Sequence, residues 1–409
     1  MFKLIFFYIQ KIRAALASLF IKKFIITTED LLKSRSKEIK IFINEADSKF
    51  TVKKTGITEV DKCFSEWIGV HDVKGQFLTL IEDAYLVSDW SIPVTKDGQI
   101  LIETSGKFGI LIGNLVYRSK FLWFAELRLL FFLLLLKILS FFNLKLNLNE
   151  NISDPIFHMV PRHGYSSSDG PAFSHWIHEN LPQVRMFYKA LEFNLDIKLF
   201  VGKIKKDWQN LTLNLLGIKK EQIYECDQAF FTKVSKLYIC RLPYIHSREV
   251  KFDPEGRLWV TKKVRKSLSQ YNNIKKFENQ KSEKIVFSRR YCSRRRLVDE
   301  DQYLDSLSKK GFKFVYPEKI SEIEKIFYSY FAKTILGLPS GSALSNFIFS
   351  DKPNLIEIQN KNELILVWFL ISRELNMNYK LYFADFFSKK SDFRDNDLVI
   401  NTKNFPIDL

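Results

Sequence analysis

The last third of the chain alternates short apolar runs with helical segments, and this alternation constrains the fold more than any other feature. The apolar runs predict strands at 284–288, 312–316, 334–338 and 354–358, and the segments between them predict helices at 299–310, 321–332 and 342–349. Ser321 and Glu324 have the spacing of a capping box, and Gly311 and Pro317 mark the ends of the preceding elements. Strands that alternate with helices in this way form right-handed βαβ units, so the sequence predicts an α/β fold with a parallel sheet.

The residues upstream predict a strand-rich region followed by a second α/β region. Residues 60–118 alternate apolar and polar positions around turn signals such as Asp97-Gly98, which favours strands joined by turns. From about residue 150 the pattern becomes α/β, with strands predicted at 197–201 and 236–240 and a helix at 207–216. We interpret the polar run 262–284 as the connection between two domains.

Two loops of the last third follow strand ends, which is where open parallel sheets bind ligands. The loop 288–296 contains five arginines, whose planar guanidinium groups suit phosphate oxygens; a solvated basic loop or a nucleic-acid contact is the alternative. The loop 338–346 is rich in small residues before a helix, an arrangement that favours an anion, although its lone Gly341 matches neither a Walker loop nor a dinucleotide fingerprint. Together the two loops predict a diphosphate site.

A third candidate site lies in a histidine-rich segment. Four of the six histidines fall within 21 positions, and they are His158, His163, His175 and His178. His175 and His178 have i, i+3 spacing with Glu179 beside them, but H-x-x-H-E is not a zinc-protease motif, so a zinc site is disfavoured. An imidazole that takes a proton from a hydroxyl is a second interpretation, and packing at a domain interface is a third.

The net charge indicates an anionic partner. The chain has 63 Lys and Arg against 46 Asp and Glu, a formal charge of +17, which is typical of proteins that bind nucleic acid, an anionic membrane or a phosphate-bearing ligand. The four cysteines are scattered and include no C-x-x-C pair, which favours free thiols in a reducing compartment. The tail residues Asp395-Asn396-Asp397 match the D-x-D pattern of some metal sites, but their polar surroundings favour a solvated loop.

Two apolar segments carry basic residues. Residues 1–26 contain five cations and no acid, which predicts an amphipathic helix that lies on a membrane surface or packs on the protein. Residues 121–142 are apolar but are interrupted by Glu126, Arg128 and Lys137, so we expect contact with lipid or a partner, or else burial between domains. Neither segment has the uncharged length of about 20 residues that a membrane span needs.

Three segments resemble glycosyltransferase family 61, whose members include capsular-polysaccharide biosynthesis proteins. The first is His175-Trp176 through Glu179 to Leu181-Pro182, similar to the family's H-W, E and L-P pattern. The second is residues 285–290 with 295–300, similar to a strand followed by S-R and R-R-x-x-N-E, with Asp299 in place of Asn. The third is Gly311-Phe312, Pro317-Glu318, Glu324 and 339–349 ending in Ile356-Glu357-Ile358, with Lys325 and Ser340 as departures. The likeness covers about residues 155–385 in order.

The resemblance implies a GT-B-like architecture, in which two Rossmann-like domains face a cleft, with inverting transfer and no essential metal. The expected division is a basic amphipathic segment at 1–59, a strand-rich region with an apolar helix at 60–150, an acceptor-side domain at 151–275, a donor nucleotide-sugar domain at 276–385 and a tail at 386–409. The co-substrate is expected to be a UDP-sugar, and no further cofactor is expected.

Residue roles follow from the same resemblance. Arg289, Arg295 and Arg296, with the backbone of Ser340, Gly341, Ser342 and Ala343, are expected to bind the donor diphosphate. Asn346 and Glu357 are expected to contact the donor sugar or ribose. His175 is the first candidate for the base, with His178 or Glu179 as the alternatives.

The partners expected on these grounds are a nucleotide-sugar donor and a glycan or lipid-linked acceptor. The expected location is the cytoplasmic face of the inner membrane, contacted peripherally through the N-terminal and 121–142 segments. A nucleic-acid partner is not expected, because the basic residues are spread along the chain and no nucleic-acid motif is present. An inactive scaffold of polysaccharide assembly and a basic nucleic-acid-binding protein remain the alternatives.

Overall fold

The computed structural model describes most of the chain between residues 24 and 400. The described residues are 24–26, 30, 39–87, 92–101, 125–142, 144, 151–159, 172–226, 231–245, 250–271, 274–337, 341–362, 364–387 and 396–400. The predicted N-terminal amphipathic helix, His163 and Ser340 lie outside these residues.

The N-terminal half contains fourteen described strands. They are β1 (Ile25–Ile26), β2 (Ile39–Asn44), β3 (Ser48–Val52), β4 (Gly69–Lys74), β5 (Phe77–Val87), β6 (Ile92–Val94), β7 (Ile100–Leu101), β8 (Asn151–Ile152), β9 (Ile156–His158), β10 (Lys198–Gly202), β11 (Ile223–Cys226), β12 (Phe231–Arg241), β13 (Tyr244–Ile245) and β14 (Val250–Lys251). Its described helices are α1 (Thr58–Cys63), α2 (Ala125–Phe141), α3 (Phe173–His175), α4 (Gln183–Leu191), α5 (Asp207–Leu215), α6 (Pro254–Ser269) and α7 (Ile274–Glu278). The shorter turns are the 3-10 segments Ser65–Trp67 and Lys220–Gln222 and a π-helical turn at Trp176–Asn180.

One large mixed sheet organises this half. Its path is β1-β7-β6-β5-β12-β9-β10-β11, with β2 paired to β5 and β8 paired to β12. Strands β9 to β12 are parallel in the order β11-β10-β9-β12, which is the strand order of a Rossmann half. The long strand β5 pairs antiparallel with β12, so the strand-rich region extends the same sheet. A smaller antiparallel sheet has the order β14-β13-β4-β3.

The C-terminal half is a parallel α/β unit, as the sequence predicts. Its strands are β15 (Lys284–Phe287), β16 (Phe312–Val315), β17 (Thr334–Gly337), β18 (Asn354–Gln359), β19 (Tyr379–Phe383), β20 (Asp385–Phe386) and β21 (Leu398–Val399). Its helices are α8 (Glu300–Lys309), α9 (Glu322–Phe331), α10 (Gly341–Ser345) and α11 (Val367–Glu374), with 3-10 turns at Pro317–Lys319 and Asn346–Phe349. The predicted capping box is confirmed, since the Ser321 backbone N–H donates to Glu324 Oε2 at 2.8 Å.

The five-stranded sheet of this half has the order β16-β15-β17-β18-β19, all parallel. Alternate residues of β15 pack on opposite faces of the sheet. Phe287 packs with Trp368 of α11, whereas Val286 packs with Leu307 of α8. Burial on both faces is typical of a parallel sheet covered by helices. The order reverses between β15 and β17, and this switch point is where the arginine loop and α10 begin.

The two halves share a hydrophobic core. Val260, Val264 and Leu268 of α6 are buried in one cluster with Phe327 and Phe349 from the C-terminal half. Our interpretation of residues 262–284 as a polar connection is therefore wrong for its first part, which belongs to α6. The lysines on the exposed face of α6 obscured an apolar i, i+4, i+8 spacing.

Helix α2 corresponds to the second apolar segment and packs through one face. Phe132 stacks on Phe231 with ring centroids 4.3 Å apart and meets Tyr85 edge-on at 5.6 Å. Leu133 and Leu136 are also buried, whereas Phe131 and Phe141 are exposed. Across the described residues, no helix combines the length and apolar character needed to cross a membrane.

Candidate active site

The histidine segment folds into a short helix that widens into a π-helical turn. Helix α3 ends at His175 and the turn continues from Trp176 to Asn180. His175 Nδ1 lies 2.9 Å from Glu179 Oε1. Because an ionised carboxylate only accepts hydrogen bonds, Nδ1–H is the donor and Nε2 is the nitrogen that can take up a proton. This pair has the arrangement of a general base with an orienting carboxylate.

His178 occupies a very different environment from His175. It is buried, stacks on Phe347 at 5.0 Å and meets Trp368 edge-on at 5.3 Å. Its Nε2–H donates to the Ser345 carbonyl oxygen at 3.2 Å, which leaves a buried Nδ1 without a hydrogen-bond partner among the described residues. Burial, helped by the positive charge of Arg257, lowers the pKa of His178 well below its usual value. A neutral, weakly basic imidazole suits a contact between the two halves better than proton transfer.

The arginine loop after β15 is held in shape by its own side chains. Arg289 Nε donates to the Arg295 carbonyl oxygen at 3.1 Å, and its Nη2 donates to the Arg294 carbonyl oxygen at 3.0 Å. Burial lowers the pKa of Arg289, but it stays cationic because an arginine pKa starts so high. At the base of the loop Ser288 Oγ donates to the buried Glu300 Oε2 at 2.6 Å. Arg295 adopts a left-handed φ of 55°, so the backbone turns sharply between Arg294 and Arg296.

The histidine segment and the arginine loop line one cleft of about 590 Å³. From the N-terminal half, His175, His178 and Glu179 face it, and from the arginine loop Arg289, Arg294 and Arg295 face it. Arg257 also lines the cleft, but its charge is paired with Glu374, so the three arginines of the loop supply the positive charge there. A positive cleft with a histidine–glutamate pair at its edge suits an anionic ligand that reacts with a hydroxyl group.

Arg296 does not line this cleft with its neighbours. Its Nη2 donates to Asp397 Oδ2 at 2.7 Å, and its backbone N–H donates to Asp397 Oδ1 at 2.9 Å. Our expectation that Arg296 binds the diphosphate is therefore corrected, because this contact ties the loop to the tail. The expected solvated loop at 395–397 is corrected too, since Asn396 and Asp397 are buried.

The small-residue loop lies partly outside the described residues. Ser340 is among those left out, whereas Gly341, Ser342 and Ala343 form the first turn of α10, which lies against α3. Ala343 is buried in the core, and its carbonyl oxygen accepts from Asn346 Nδ2 at 3.3 Å. Asn346 is thus buried in the turn after α10 and is not among the cleft-lining residues. The diphosphate role of this backbone stays a prediction.

Glu357 is buried inside the C-terminal sheet. It is fully inaccessible to solvent, and its Oε2 accepts from the Tyr379 hydroxyl at 2.7 Å. Burial raises its pKa to about 8, although the hydrogen bonds from Tyr379 and Gln359 partly offset this. The expected contact with sugar or ribose is corrected, because the side chain is fully buried, bonded to Tyr379 and not among the cleft-lining residues.

One wall of the cleft was not predicted from the sequence. Helix α11 and the residues before it contribute an apolar surface, composed of Ile365, Leu366, Val367, Trp368, Leu370 and Ile371. Arg257 of α6 forms a buried ion pair with Glu374 at the end of α11, which anchors this wall to the other half. Burial raises the pKa of Glu374 to about 7, and Arg257 partly offsets the rise. An isolated arginine in a lysine-rich helix gives no sequence signal of this role.

Metal ligands are not grouped in the described part of the chain: no three His, Cys, Asp or Glu residues lie together there as a metal site would need. Asp395, the first acid of the D-x-D sequence, is outside the described residues.

Residues 173–356 match the family model described as Glycosyltransferase 61. These residues therefore form a glycosyltransferase family 61 domain. This confirms the resemblance, and it makes the protein a glycosyltransferase with sugar donor and acceptor substrates. The matched region of this family 61 transferase includes every predicted site residue except Glu357, one position beyond its end. No curated protein matches the chain closely enough to add to this assignment.

Proposed function

We propose that this family 61 transferase moves a sugar from a nucleotide-sugar donor, which we expect to be a UDP-sugar, to a hydroxyl group of a glycan or lipid-linked acceptor. The transfer inverts the anomeric centre and needs no metal ion. The observation that supports this most strongly is the shared cleft, in which His175 and Glu179 lie with Arg294 and Arg295.

The arginines have the chemistry that the leaving group requires. Negative charge grows on the diphosphate as the glycosidic bond breaks, and in a metal-free site positively charged donors must stabilise it. Arg294 and Arg295 project from a loop that Arg289 braces through two backbone carbonyl groups. Such bracing lowers the reorganisation needed when the charge develops, which is how preorganised donors accelerate a reaction.

Inversion requires a single base at the acceptor hydroxyl. In our proposal His175 Nε2 takes the hydroxyl proton, and Glu179 holds Nδ1–H and stabilises the imidazolium that forms. The exposed edge of His175 is consistent with this role, since its side chain is 38% accessible. His178 is the poorer candidate because its pKa is lowered by burial.

The architecture we propose is GT-B-like, with an acceptor side built on the sheet before residue 276 and a donor side built on the sheet after it. The parallel strands β11-β10-β9-β12 within the mixed sheet and the all-parallel sheet β16-β15-β17-β18-β19 support this proposal. We further propose a role in surface-polysaccharide synthesis, at the cytoplasmic face of the inner membrane. The positive net charge and scattered cysteines support that location.

Donor binding can be tested by thermal shift with a panel of UDP-, GDP- and CMP-sugars and the free nucleotides. We expect one nucleotide class to stabilise the protein, and the Arg294→Gln and Arg295→Gln variants to weaken its affinity about tenfold each. Arg290→Gln is the matched control, because Arg290 belongs to the same loop but pairs with Asp301. Stabilisation by no nucleotide, or equal loss in the control, would contradict the proposed function and favour an inactive scaffold.

A further inference from the structure

Helix α2 has an apolar face that nothing among the described residues covers. Phe131 is 74% exposed, Ile138 is 54% exposed and Phe141 is 83% exposed, and Leu134 and Phe142 are exposed as well. At 3.6 residues per turn these five side chains fall within an arc of about 100°, opposite the buried Phe132, Leu133 and Leu136. We call the five exposed residues the α2 face. A continuous apolar stripe of this size marks a binding surface.

The chemistry around the α2 face distinguishes a lipid surface from a protein partner. Between Arg118 and Lys145 the sequence has five basic residues and one acid, Glu126. All five side chains of the face are hydrocarbon, whereas protein interfaces carry a polar rim with regular hydrogen bonds. An apolar face flanked by Lys and Arg is the pattern of an interfacial helix on anionic lipid.

Phe24, which follows a second basic segment of the sequence, lies beside α2. Residues 1–23 contain five cations and no acid, and the described chain begins beside α2. Phe24 is buried with its ring 5.8 Å from Lys137 Nζ of α2. The next two residues form β1, which pairs with β7 close to the turn at Gly98 that abuts Leu133. The first described residues after this basic segment thus lie beside α2.

We propose that the α2 face docks on an anionic lipid bilayer. The Phe, Leu and Ile side chains insert at the boundary between headgroups and acyl chains, and the surrounding cations contact lipid phosphate groups. The inference is independent of the transfer reaction, because the α2 face shares no residue with the cleft.

Vesicle cosedimentation of the full chain tests the proposal. The probes are phosphatidylcholine vesicles with and without phosphatidylglycerol. We expect binding to the anionic vesicles, weakened about a hundredfold in the double variant Phe131→Ser/Phe141→Ser, since each phenylalanine contributes about tenfold. The matched control is Leu195→Ser/Phe387→Ser, which removes two side chains that are 85% and 62% exposed elsewhere on the surface.

Three results would overturn the proposal: equal binding by the double variant, no preference for anionic vesicles, or a wild-type self-association that the double variant abolishes. The last result would assign the face to a second copy of the chain. A second measurement tests the same contact without the double variant, in case that variant is misfolded. An environment-sensitive fluorophore on Leu134→Cys should brighten with anionic vesicles, whereas the same label on Leu195→Cys should not.

Discussion

The buried carboxyl group of Glu357 makes the stability of the C-terminal half depend on pH. Its side chain is inaccessible, its Oε2 is bonded to the Tyr379 hydroxyl, and its pKa is raised to about 8. In the unfolded chain the group returns to its ordinary value of 4.5. Between these two values the folded protein keeps a proton that the unfolded chain releases, so stability falls as pH rises.

The size of this effect follows from the two pKa values. Each pH unit inside the window changes the unfolding free energy by about 1.4 kcal/mol, which amounts to about 3 kcal/mol between about pH 5 and pH 7.5. Glu357→Gln keeps an acceptor for the Tyr379 hydroxyl but cannot ionise. The difference in unfolding free energy between variant and wild type should therefore shift by about 3 kcal/mol in favour of glutamine over that range.

Urea denaturation at several pH values measures this difference directly. Tyr379→Phe is the companion variant, because it removes a hydrogen bond that favours the ionised form of Glu357. The pKa of Glu357 should then rise further, so the unfolding free energy of this variant should keep falling to a higher pH than that of the wild type. A stability difference that does not change with pH, together with a raised KM for the donor in Glu357→Gln, would contradict a buried and protonated Glu357. That outcome would restore Glu357 as an ionised donor ligand.

Three further predictions concern the His175–Glu179 pair, the N-cap of helix α9 and the independence of the reaction from metal ions. Glu179→Gln should lower kcat by about a hundredfold or more with little change in donor affinity, because the imidazolium loses its carboxylate partner. Ser321→Ala should lower the unfolding free energy by about 1 kcal/mol in urea titrations, because it removes the cap of α9. Activity should be unchanged after dialysis against a chelator, and a loss restored by a divalent cation would contradict metal-independent transfer.

The C-terminal half is the part of the fold that was most predictable from sequence. Short apolar runs bounded by Gly311 and Pro317, and the Ser321 capping box, are local signals that tertiary contacts do not override. The predicted strands at 284–288 and 334–338 therefore match β15 and β17 to within one residue. Their parallel pairing follows from the helices that separate them.

The arrangement of individual side chains was less predictable. Arginines 289, 295 and 296 lie in one loop, and nothing in the sequence of that loop distinguishes them. Arg296 nevertheless pairs with Asp397, about a hundred positions away. Glu357 lies within an apolar run in sequence, and only the folded structure shows that its side chain is buried and bonded to Tyr379. Such contacts depend on long-range packing, which local patterns do not encode.

The α11 wall of the cleft was unpredictable for the same reason. Its residues, 365–371, form an apolar run that is typical of any buried helix, and nothing in the run indicates which of its sides faces a cleft. The buried Arg257–Glu374 pair that anchors it joins residues 117 positions apart. The histidine segment, by contrast, was a candidate site from sequence because of its clustered histidines and the adjacent Glu179, and the structure places His175 and Glu179 at the cleft.

The turnover of His175→Ala with saturating acceptor shows whether His175 is the base of the transfer reaction. Once the thermal-shift panel has identified the donor, the rate of nucleoside diphosphate release gives kcat, and the thermal shift itself gives donor affinity. If His175 is the base, kcat falls by about a hundredfold or more while donor affinity is retained. An unaltered kcat in His175→Ala would contradict the assignment of the base and of the cleft as the transfer site.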